Sequence, residues 1–138
     1  MPTPPYVCLV DDDPNAAFFV KRALRKVAPG ARFTFFEDAR AALAHLTDQH
    51  ANDPANLPDV LLLDLNMPHL SGWDFIRHAC RPEGGIEPHD LKLCILSSSV
   101  NPDDLARAEQ YACVHAYIEK HVTPEKLRSV LEGAGASA

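Results

Sequence analysis

The sequence lacks the long apolar run that a membrane-spanning helix requires: no stretch of its 138 residues approaches about 20 apolar positions. Residues 1–5 have neither the basic start nor the apolar core of a secretory signal peptide. It also lacks an excess of positive charge, since its net charge is −6. Nucleic acid and anionic membranes are therefore not expected as partners, and a cytoplasmic location is expected by default.

Cysteine and histidine are present without the spacings of a zinc site. The four cysteines include no C-x-x-C pair, and the seven histidines are dispersed, with no H-E-x-x-H motif. Cys8 and Cys94 lie inside apolar runs, which is typical of small buried hydrophobic residues. We therefore expect no zinc centre, and we expect most of the histidines to be solvated at the surface.

The composition and length of the chain indicate one globular domain. The hydrophobic fraction is 46% and the charged fraction 23%, ordinary values for a folded domain of this length. No internal repeat is visible. We expect an N-terminal tail over residues 1–5, one domain over residues 6–132 and a small-residue tail over residues 133–138.

Short apolar runs alternate with amphipathic segments along the domain. The runs predict strands over residues 6–10, 32–36, 59–63, 91–96 and 115–118. Capping residues predict helices that begin near residues 14, 38, 71, 101 and 123. Strands that alternate with helices form parallel crossover units, so the predicted fold is an open, doubly wound α/β sandwich. Surface loops are predicted over residues 48–58 and 82–90.

Apolar spacing also predicts which face of each helix is buried. The predicted inward positions are Ala17, Val20, Leu24 and Val27 in helix 1, Ala39, Leu43 and Leu46 in helix 2, and Trp73, Ile76 and Cys80 in helix 3.

Polar residues stand at the carboxyl ends of four predicted strands. They are Asp11, Asp12 and Asp13 after strand 1, Asp64 after strand 3, Ser97 after strand 4 and Lys120 after strand 5. In a parallel sheet these ends share one edge, where ligands bind. If the strand order is 2-1-3-4-5, strands 1 and 3 are neighbours and the aspartate cluster meets Asp64 directly.

These residue types together indicate phosphoryl transfer to a carboxylate. Crowded carboxylates repel each other, and a divalent cation relieves that repulsion. Oxygen ligands without clustered histidine or cysteine suit Mg²⁺ or Mn²⁺. Lys120 can supply a positive charge to a phosphoryl oxygen and Ser97 a hydrogen bond, with Asp64 as the nucleophile.

Each residue also has a purely structural interpretation when it is taken alone. Asp13 precedes Pro14 and can serve as a helix N-cap. Lys120 can simply be solvated, and residues 97–99 can satisfy their own backbone groups. The convergence of several strand ends on one chemistry favours the functional interpretation.

The sequence resembles the receiver domain of bacterial two-component response regulators over residues 6–132. The matching segments are residues 9–13, 63–68 with Gly72, Ser97, and 117–120. The resemblance implies a CheY-like, flavodoxin-like (βα)5 fold, a three-layer sandwich whose five-stranded parallel sheet has the order 2-1-3-4-5. It also implies a stand-alone, single-domain type, so the signal is expected to leave through protein contact.

Residue roles follow from that resemblance. Asp64 is implied to accept the phosphoryl group, and Asp12 and Asp64 to ligate Mg²⁺ directly. Asn66 would add its backbone carbonyl to the metal, and Asp11 would act mainly through water. The implied roles of the remaining residues are phosphate contact for Lys120, switching for Ser97 and Tyr117, and control of self-dephosphorylation for Asn66 and Ser99.

Some positions depart from the family pattern or have a second interpretation. His121 follows Lys120 where the family usually has a proline, so we expect a trans bond with a shifted loop, or local strain. His69 and Leu70 stand where an acidic residue often precedes the glycine. Tyr117 can also be an ordinary edge-strand aromatic. Residues 97–104 resemble single-domain receivers that include partners of bacterial phytochrome kinases.

The expected function is a phosphorylation switch. A histidine kinase or phosphotransfer protein would donate the phosphoryl group, and a protein target would read the face formed by helix 4, strand 5 and helix 5. We expect no enzymatic activity beyond self-phosphorylation and self-dephosphorylation. The alternatives are a receiver-like binding module that is never phosphorylated and a phosphatase of the haloacid-dehalogenase type. The latter needs a second aspartate where Asn66 stands, and its nucleophile follows the first strand.

Overall fold

A computed structural model of the protein describes residues 4–65, 71–80, 91–98 and 101–134. Five strands and five α-helices alternate along these residues. The strands are β1 (Tyr6–Val10), β2 (Arg32–Phe36), β3 (Val60–Asp64), β4 (Lys92–Ser97) and β5 (Val114–Glu119). The helices are α1 (Pro14–Val27), α2 (Ala39–Asn52), α3 (Gly72–Ala79), α4 (Pro102–Ala108) and α5 (Pro124–Ala134).

The strands form one parallel sheet in the order β2-β1-β3-β4-β5. Helices α1 and α5 pack together over one face, while α2 and α3 pack together over the other. The predicted doubly wound sandwich and its strand order are therefore confirmed. The order reverses between β1 and β3, which is where such sheets bind ligands.

The central strands are buried on both faces, which explains their lack of polar alternation. In β1, Val7 and Leu9 pack in the core beneath α1 and α5, whereas Cys8 and Val10 pack beneath α2 and α3. All five residues of β3 are buried, including the carboxylate-bearing Asp64. The apolar positions thus anchor a charged residue at the rim of the core.

The helix starts follow the predicted caps. Asp13 accepts a hydrogen bond from the Asn15 backbone N–H at 2.9 Å, and Pro14 occupies the first helical position. Equivalent N-cap side chains precede α2, α3 and α4: Asp38, Ser71 and Asn101.

The predicted buried face of α1 is only partly correct. Val20 and Leu24 are buried as predicted, but Ala16 and Ala23 are buried where Ala17 and Val27 had been expected. Ala17 and Val27 flank this stripe and are partly buried. Ala16 and Ala17 are adjacent and equally apolar, so spacing alone does not decide which of them lies innermost.

The predicted loop over residues 48–58 is wrong in its first half. Helix α2 continues to Asn52, and a short 3-10 helix follows at Pro54–Asn56. The exposed Asn52 side chain donates to Asp48 Oδ1 at 2.8 Å, a contact between helical neighbours four residues apart. A solvated helix turn and a polar loop have the same composition, so the sequence does not separate them. The predicted loop over residues 82–90 lies outside the described residues.

Two of the four cysteines are free thiols, and the other two form a disulfide. Cys8 and Cys94 are buried thiols, as predicted, and burial raises the pKa of each to about 12. Cys80 and Cys113 form a disulfide that the sequence analysis did not predict. The sequence predicts Cys80 on the inward face of helix 3; in the structure it is the C-cap of α3, partly buried and packed against the core.

Within the described residues, no helix combines the length and the apolar character that crossing a bilayer requires.

Candidate functional site

Three aspartates meet where the sheet order reverses. Strands β1 and β3 are direct neighbours, with Val10 aligned to Leu63, so Asp11 follows its strand beside Asp64. Carboxylate oxygens of Asp11, Asp12 and Asp64 all lie within 4.8 Å of one another. Asp11 and Asp64 are buried at 0% and 5% exposure, while Asp12 is exposed to solvent. The sequence-predicted acidic cluster is therefore assembled, with one side open to water.

The run of three aspartates divides into distinct positions. Asp11 Oδ1 accepts the backbone N–H of Asp13 at 2.9 Å, which fixes the turn after β1. Asp13 in turn caps α1 through its own carboxylate. The structure thus favours the capping interpretation of Asp13 and leaves Asp12 with its side chain at the rim of the cluster.

Lys120 reaches this cluster from the end of β5. Its Nζ lies 2.6 Å from Asp11 Oδ2 and 3.6 Å from Asp64 Oδ2. Burial lowers the pKa of Lys120, but the hydrogen bond and charge of Asp11, together with Asp64, outweigh burial and raise the pKa above its usual value. The ammonium group therefore stays charged, and the interpretation of Lys120 as a merely solvated strand-end residue does not hold.

The charge of the site fits a divalent cation. Three carboxyl side chains face the single ammonium group of Lys120, so acidic groups outnumber basic groups among these four residues. All the candidate ligand atoms are carboxylate oxygens, which Mg²⁺ and Mn²⁺ prefer. The residues present thus fit the metal that the sequence indicated.

Ser97 and Tyr117 lie on the strands beyond β3. Ser97 is the last residue of β4, is 2% exposed and is aligned with Glu119 of β5. Its backbone carbonyl accepts the Lys120 N–H at 2.8 Å, which ties the ends of β4 and β5 together. Tyr117 is aligned with Ile95 and is partly buried against the core beneath α2 and α3.

Some sequence-predicted residues lie outside the described residues: Asn66, with its proposed carbonyl ligand, together with His69, Leu70 and Ser99.

The Lys120–His121 peptide bond is cis, so the first of the two predicted alternatives, a trans bond with a shifted loop, is wrong. The His121 ring lies against Phe19 of α1, with ring centroids 4.5 Å apart. Phe18, at 60% exposure, and Phe19, at 36%, are large apolar side chains on the surface. Sequence analysis did not predict this aromatic patch of Phe18, Phe19 and His121, because helical spacing predicts the core-facing stripe of α1 and not the apolar residues outside it.

Gly72 holds the start of α3 against the residue that follows β3. Its N–H donates to the Leu65 carbonyl at 3.0 Å. A Cβ atom at this position would lie 2.6 Å from Leu65 Cα and 2.7 Å from the Asp64 carbonyl oxygen. Both contacts are with backbone atoms, which cannot rotate away. Glycine is therefore required for α3 to approach Asp64 this closely.

Comparison with known proteins gives a consistent result. A family model described as "Response regulator receiver domain" matches residues 7–132. A probable methanogenesis regulatory protein of Methanothrix harundinacea is 30% identical over 129 residues, which cover 93% of this chain and 80% of that protein. A two-component response regulator of Cytophaga hutchinsonii has a similar crystal structure, with 26% identity, coverage of 94% and 95%, and a TM-score of 0.81.

A further relative is longer than this chain, whereas a further solved structure has nearly the same length. The match with a transcriptional regulatory protein of Mycobacterium tuberculosis is 27% identical and covers 99% of this chain but 54% of that protein. A phosphorylated cyanobacterial phytochrome response regulator shares the fold, with 24% identity, a TM-score of 0.76 and coverage of 99% and 97%.

We predict that Gly72→Ala destabilises the protein by about 1–3 kcal/mol, the usual range for forcing extra atoms into a packed site. Urea denaturation measures this change. Gly30→Ala is the matched control, because its added Cβ would meet the Pro4 side chain at an ordinary 3.8 Å. Equal stability of the two variants would contradict the close approach of α3 to Asp64.

Proposed function

The chain belongs to the family of response regulator receiver domains, and from this we propose that it accepts a phosphoryl group on Asp64 and signals by a change of conformation. The observation that carries the proposal is the joint cluster of Asp11, Asp12, Asp64 and Lys120 at the end of the sheet. A histidine kinase or a phosphotransfer protein of a two-component system is the proposed donor.

Asp64 acts as the nucleophile in this proposal. One of its carboxylate oxygens attacks the phosphorus of a phosphohistidine, the new oxygen–phosphorus bond forms, and the phosphorus–nitrogen bond to the imidazole breaks. The imidazole nitrogen keeps the electron pair of that bond and takes up a proton. Hydrolysis resets the site when water attacks the phosphorus and releases inorganic phosphate from Asp64. In both steps the group that is modified is Asp64 of the protein itself, so we expect no enzymatic activity beyond self-phosphorylation and self-dephosphorylation.

Lys120 and Ser97 are the proposed phosphoryl contacts. Lys120 Nζ already lies 3.6 Å from Asp64 Oδ2, so a small movement away from Asp11 would bring it to a phosphoryl oxygen. Its positive charge would stabilise charge that develops on those oxygens in the transition state. Ser97 stands at the neighbouring strand end and can donate its hydroxyl to another phosphoryl oxygen.

Asp12 and Asp64 are the proposed direct ligands of Mg²⁺ or Mn²⁺, with Asp11 as a water-mediated partner and Asn66 as a carbonyl ligand. The close pairing of Asp11 with Lys120 supports an indirect role for Asp11. The metal, when bound, supplies positive charge that offsets repulsion between the carboxylates and the incoming phosphoryl group. The exposure of Asp12 supports entry of the ion from solvent.

The proposed output is a shift in population between two arrangements of the α4–β5–α5 face. Phosphorylation would draw the Ser97 hydroxyl towards Asp64, and Tyr117 would repack against the space that this movement leaves. The backbone hydrogen bond between Ser97 and Lys120 supports the coupling, since it joins the strand that carries Ser97 to the strand that carries Tyr117. A protein target would recognise the changed face.

The aromatic patch of Phe18, Phe19 and His121 supports a protein as the phosphoryl donor. His121 follows Lys120 directly and packs on Phe19, so the patch adjoins the site. Exposed aromatic side chains are common at the centres of protein interfaces. We propose that the phosphoryl donor binds the protein in the cytoplasm.

We predict that Asp64→Asn abolishes labelling by acetyl phosphate with Mg²⁺, because the amide lacks the nucleophilic carboxylate. Intact-protein mass spectrometry measures the label. The matched control is Asp13→Asn, which makes the same charge change and keeps an efficient N-cap for α1. Full labelling of Asp64→Asn, or loss of label in Asp13→Asn alone, would contradict the assignment of Asp64. Wild-type protein that takes up no label would favour a binding module that is never phosphorylated.

We predict that Asp12→Asn raises the Mg²⁺ concentration needed for half-maximal labelling by at least about tenfold, as loss of metal-site contacts commonly does. Titration of labelling rate against MgCl₂, after treatment with a chelator, measures the midpoint. Asp13→Asn is again the control and should leave the midpoint unchanged. An unchanged midpoint for Asp12→Asn would remove this residue from the metal site.

A further inference from the structure

The Cys80–Cys113 disulfide joins two parts of the fold that are otherwise separate in sequence. Cys80 is the C-cap of α3, and Cys113 directly precedes β5. Their Cα atoms lie 6.1 Å apart, within the usual range for such bonds, across a separation of 33 residues. The bond closes a loop that contains β4 and α4. It therefore ties the turn between α4 and β5 to α3.

A second set of contacts spans the same junction. The Arg107 guanidinium of α4 lies over the Trp73 ring of α3, 4.5 Å from its centroid. Tyr111, in the turn after α4, stacks against Trp73 with ring centroids 6.1 Å apart. These contacts join the same segments without involving either cysteine. They would therefore favour the proximity of Cys80 and Cys113 in a reduced protein as well.

The four cysteines differ in their capacity to react. Cys8 and Cys94 are inside the core, and burial raises their pKa to about 12, so both stay protonated and inert at neutral pH. Cys113 is 6% exposed, whereas Cys80 is partly exposed at the end of its helix. Oxidation and reduction are therefore directed to the Cys80–Cys113 pair, with Cys80 as the sulfur that a small thiol or disulfide meets first.

We propose that Cys80 and Cys113 are a reversible thiol–disulfide pair whose oxidised form restrains α4 and the start of β5. The co-reactant is a low-molecular-weight disulfide such as oxidised glutathione. Disulfides of proteins in the cytoplasm, the proposed location, are commonly transient and redox-responsive.

The exchange proceeds in two balanced steps. The Cys80 thiolate attacks one sulfur of the small disulfide, which forms a mixed disulfide and releases one thiolate. The Cys113 thiolate then attacks Cys80 Sγ, which closes the protein disulfide and releases the second thiolate. The two cysteine thiols are oxidised and lose their protons, and the small disulfide is reduced to two thiols.

The consequence for signalling rests on the proposed function. Repacking around Tyr117 requires α4 and β5 to move relative to the rest of the sheet, and a covalent bond to α3 opposes that movement. The oxidised protein should therefore favour the unphosphorylated arrangement, and the reduced protein should respond more strongly to an acyl-phosphate mimic.

The full chain is equilibrated in glutathione buffers that range from fully reduced to fully oxidised. Thiol alkylation followed by mass spectrometry measures the fraction of the Cys80–Cys113 pair that is oxidised in each buffer. Hydrogen exchange over residues 102–119 and the fluorescence of Trp73, the one tryptophan of the chain, report local restraint. We expect reversible conversion between the two forms, with exchange at least about fivefold slower in the oxidised form. Beryllofluoride with Mg²⁺ should bind the reduced form at least about fivefold more tightly, the low end of common coupling between sites.

A pair that stays fully oxidised or fully reduced across all buffers would overturn the proposal, as would identical hydrogen exchange in the two forms. Cys80→Ser should show the hydrogen-exchange rates and the beryllofluoride affinity of the reduced protein, and neither should depend on the glutathione buffer. If that variant does not fold, the comparison of oxidised with reduced wild-type protein decides alone. If beryllofluoride binds neither form, the proposed function fails, whereas a redox-dependent exchange rate still supports the cysteine pair. Equal beryllofluoride affinity in both forms would overturn the link to signalling.

Discussion

Repulsion between carboxylates held at the end of a buried sheet is the constraint on which the rest of the site depends. Asp11 and Asp64 are nearly inaccessible to solvent, and a buried carboxylate needs a compensating charge or hydrogen bond. Lys120 supplies one positive charge, 2.6 Å from Asp11 and 3.6 Å from Asp64. The cluster offers carboxylate oxygens, the ligands that a divalent cation such as Mg²⁺ prefers, which is the basis of the proposed metal site. The groups that would destabilise the fold without partners are thus the groups on which the proposed metal binding rests.

Backbone contacts hold this charge cluster together. The Ser97 carbonyl accepts the Lys120 N–H, so the lysine is presented by the same strand ends that carry the serine. On the other side, Gly72 lets α3 begin against the backbone of Asp64 and Leu65. These direct backbone contacts between strand ends support the proposed coupling of phosphorylation to the α4–β5–α5 face. The Cys80–Cys113 disulfide joins α3 to the start of β5, a part of that face.

The residues that the sequence predicted well are those whose chemistry conflicts with their surroundings. Asp64 ends an uninterrupted apolar run, so a location at the rim of a buried strand follows from solvation alone. The extra turns of α2 up to Asn52 were missed because a solvated helix and a loop share one composition. The pairing of Cys80 with Cys113 and the clearance around Gly72 depend on how distant segments pack, which no local pattern records. The direction of Lys120, closer to Asp11 than to Asp64, likewise depends on the tertiary arrangement of three strand ends.

The most direct test of the central claim is to locate the phosphoryl group chemically. The protein is labelled with acetyl phosphate and Mg²⁺ and then reduced with borohydride, which converts a phosphorylated aspartate to homoserine that peptide mass spectrometry can map. The account predicts homoserine at position 64 and intact aspartate at positions 11, 12 and 13. Homoserine at any of those three positions, or at none of the four in labelled protein, would contradict it.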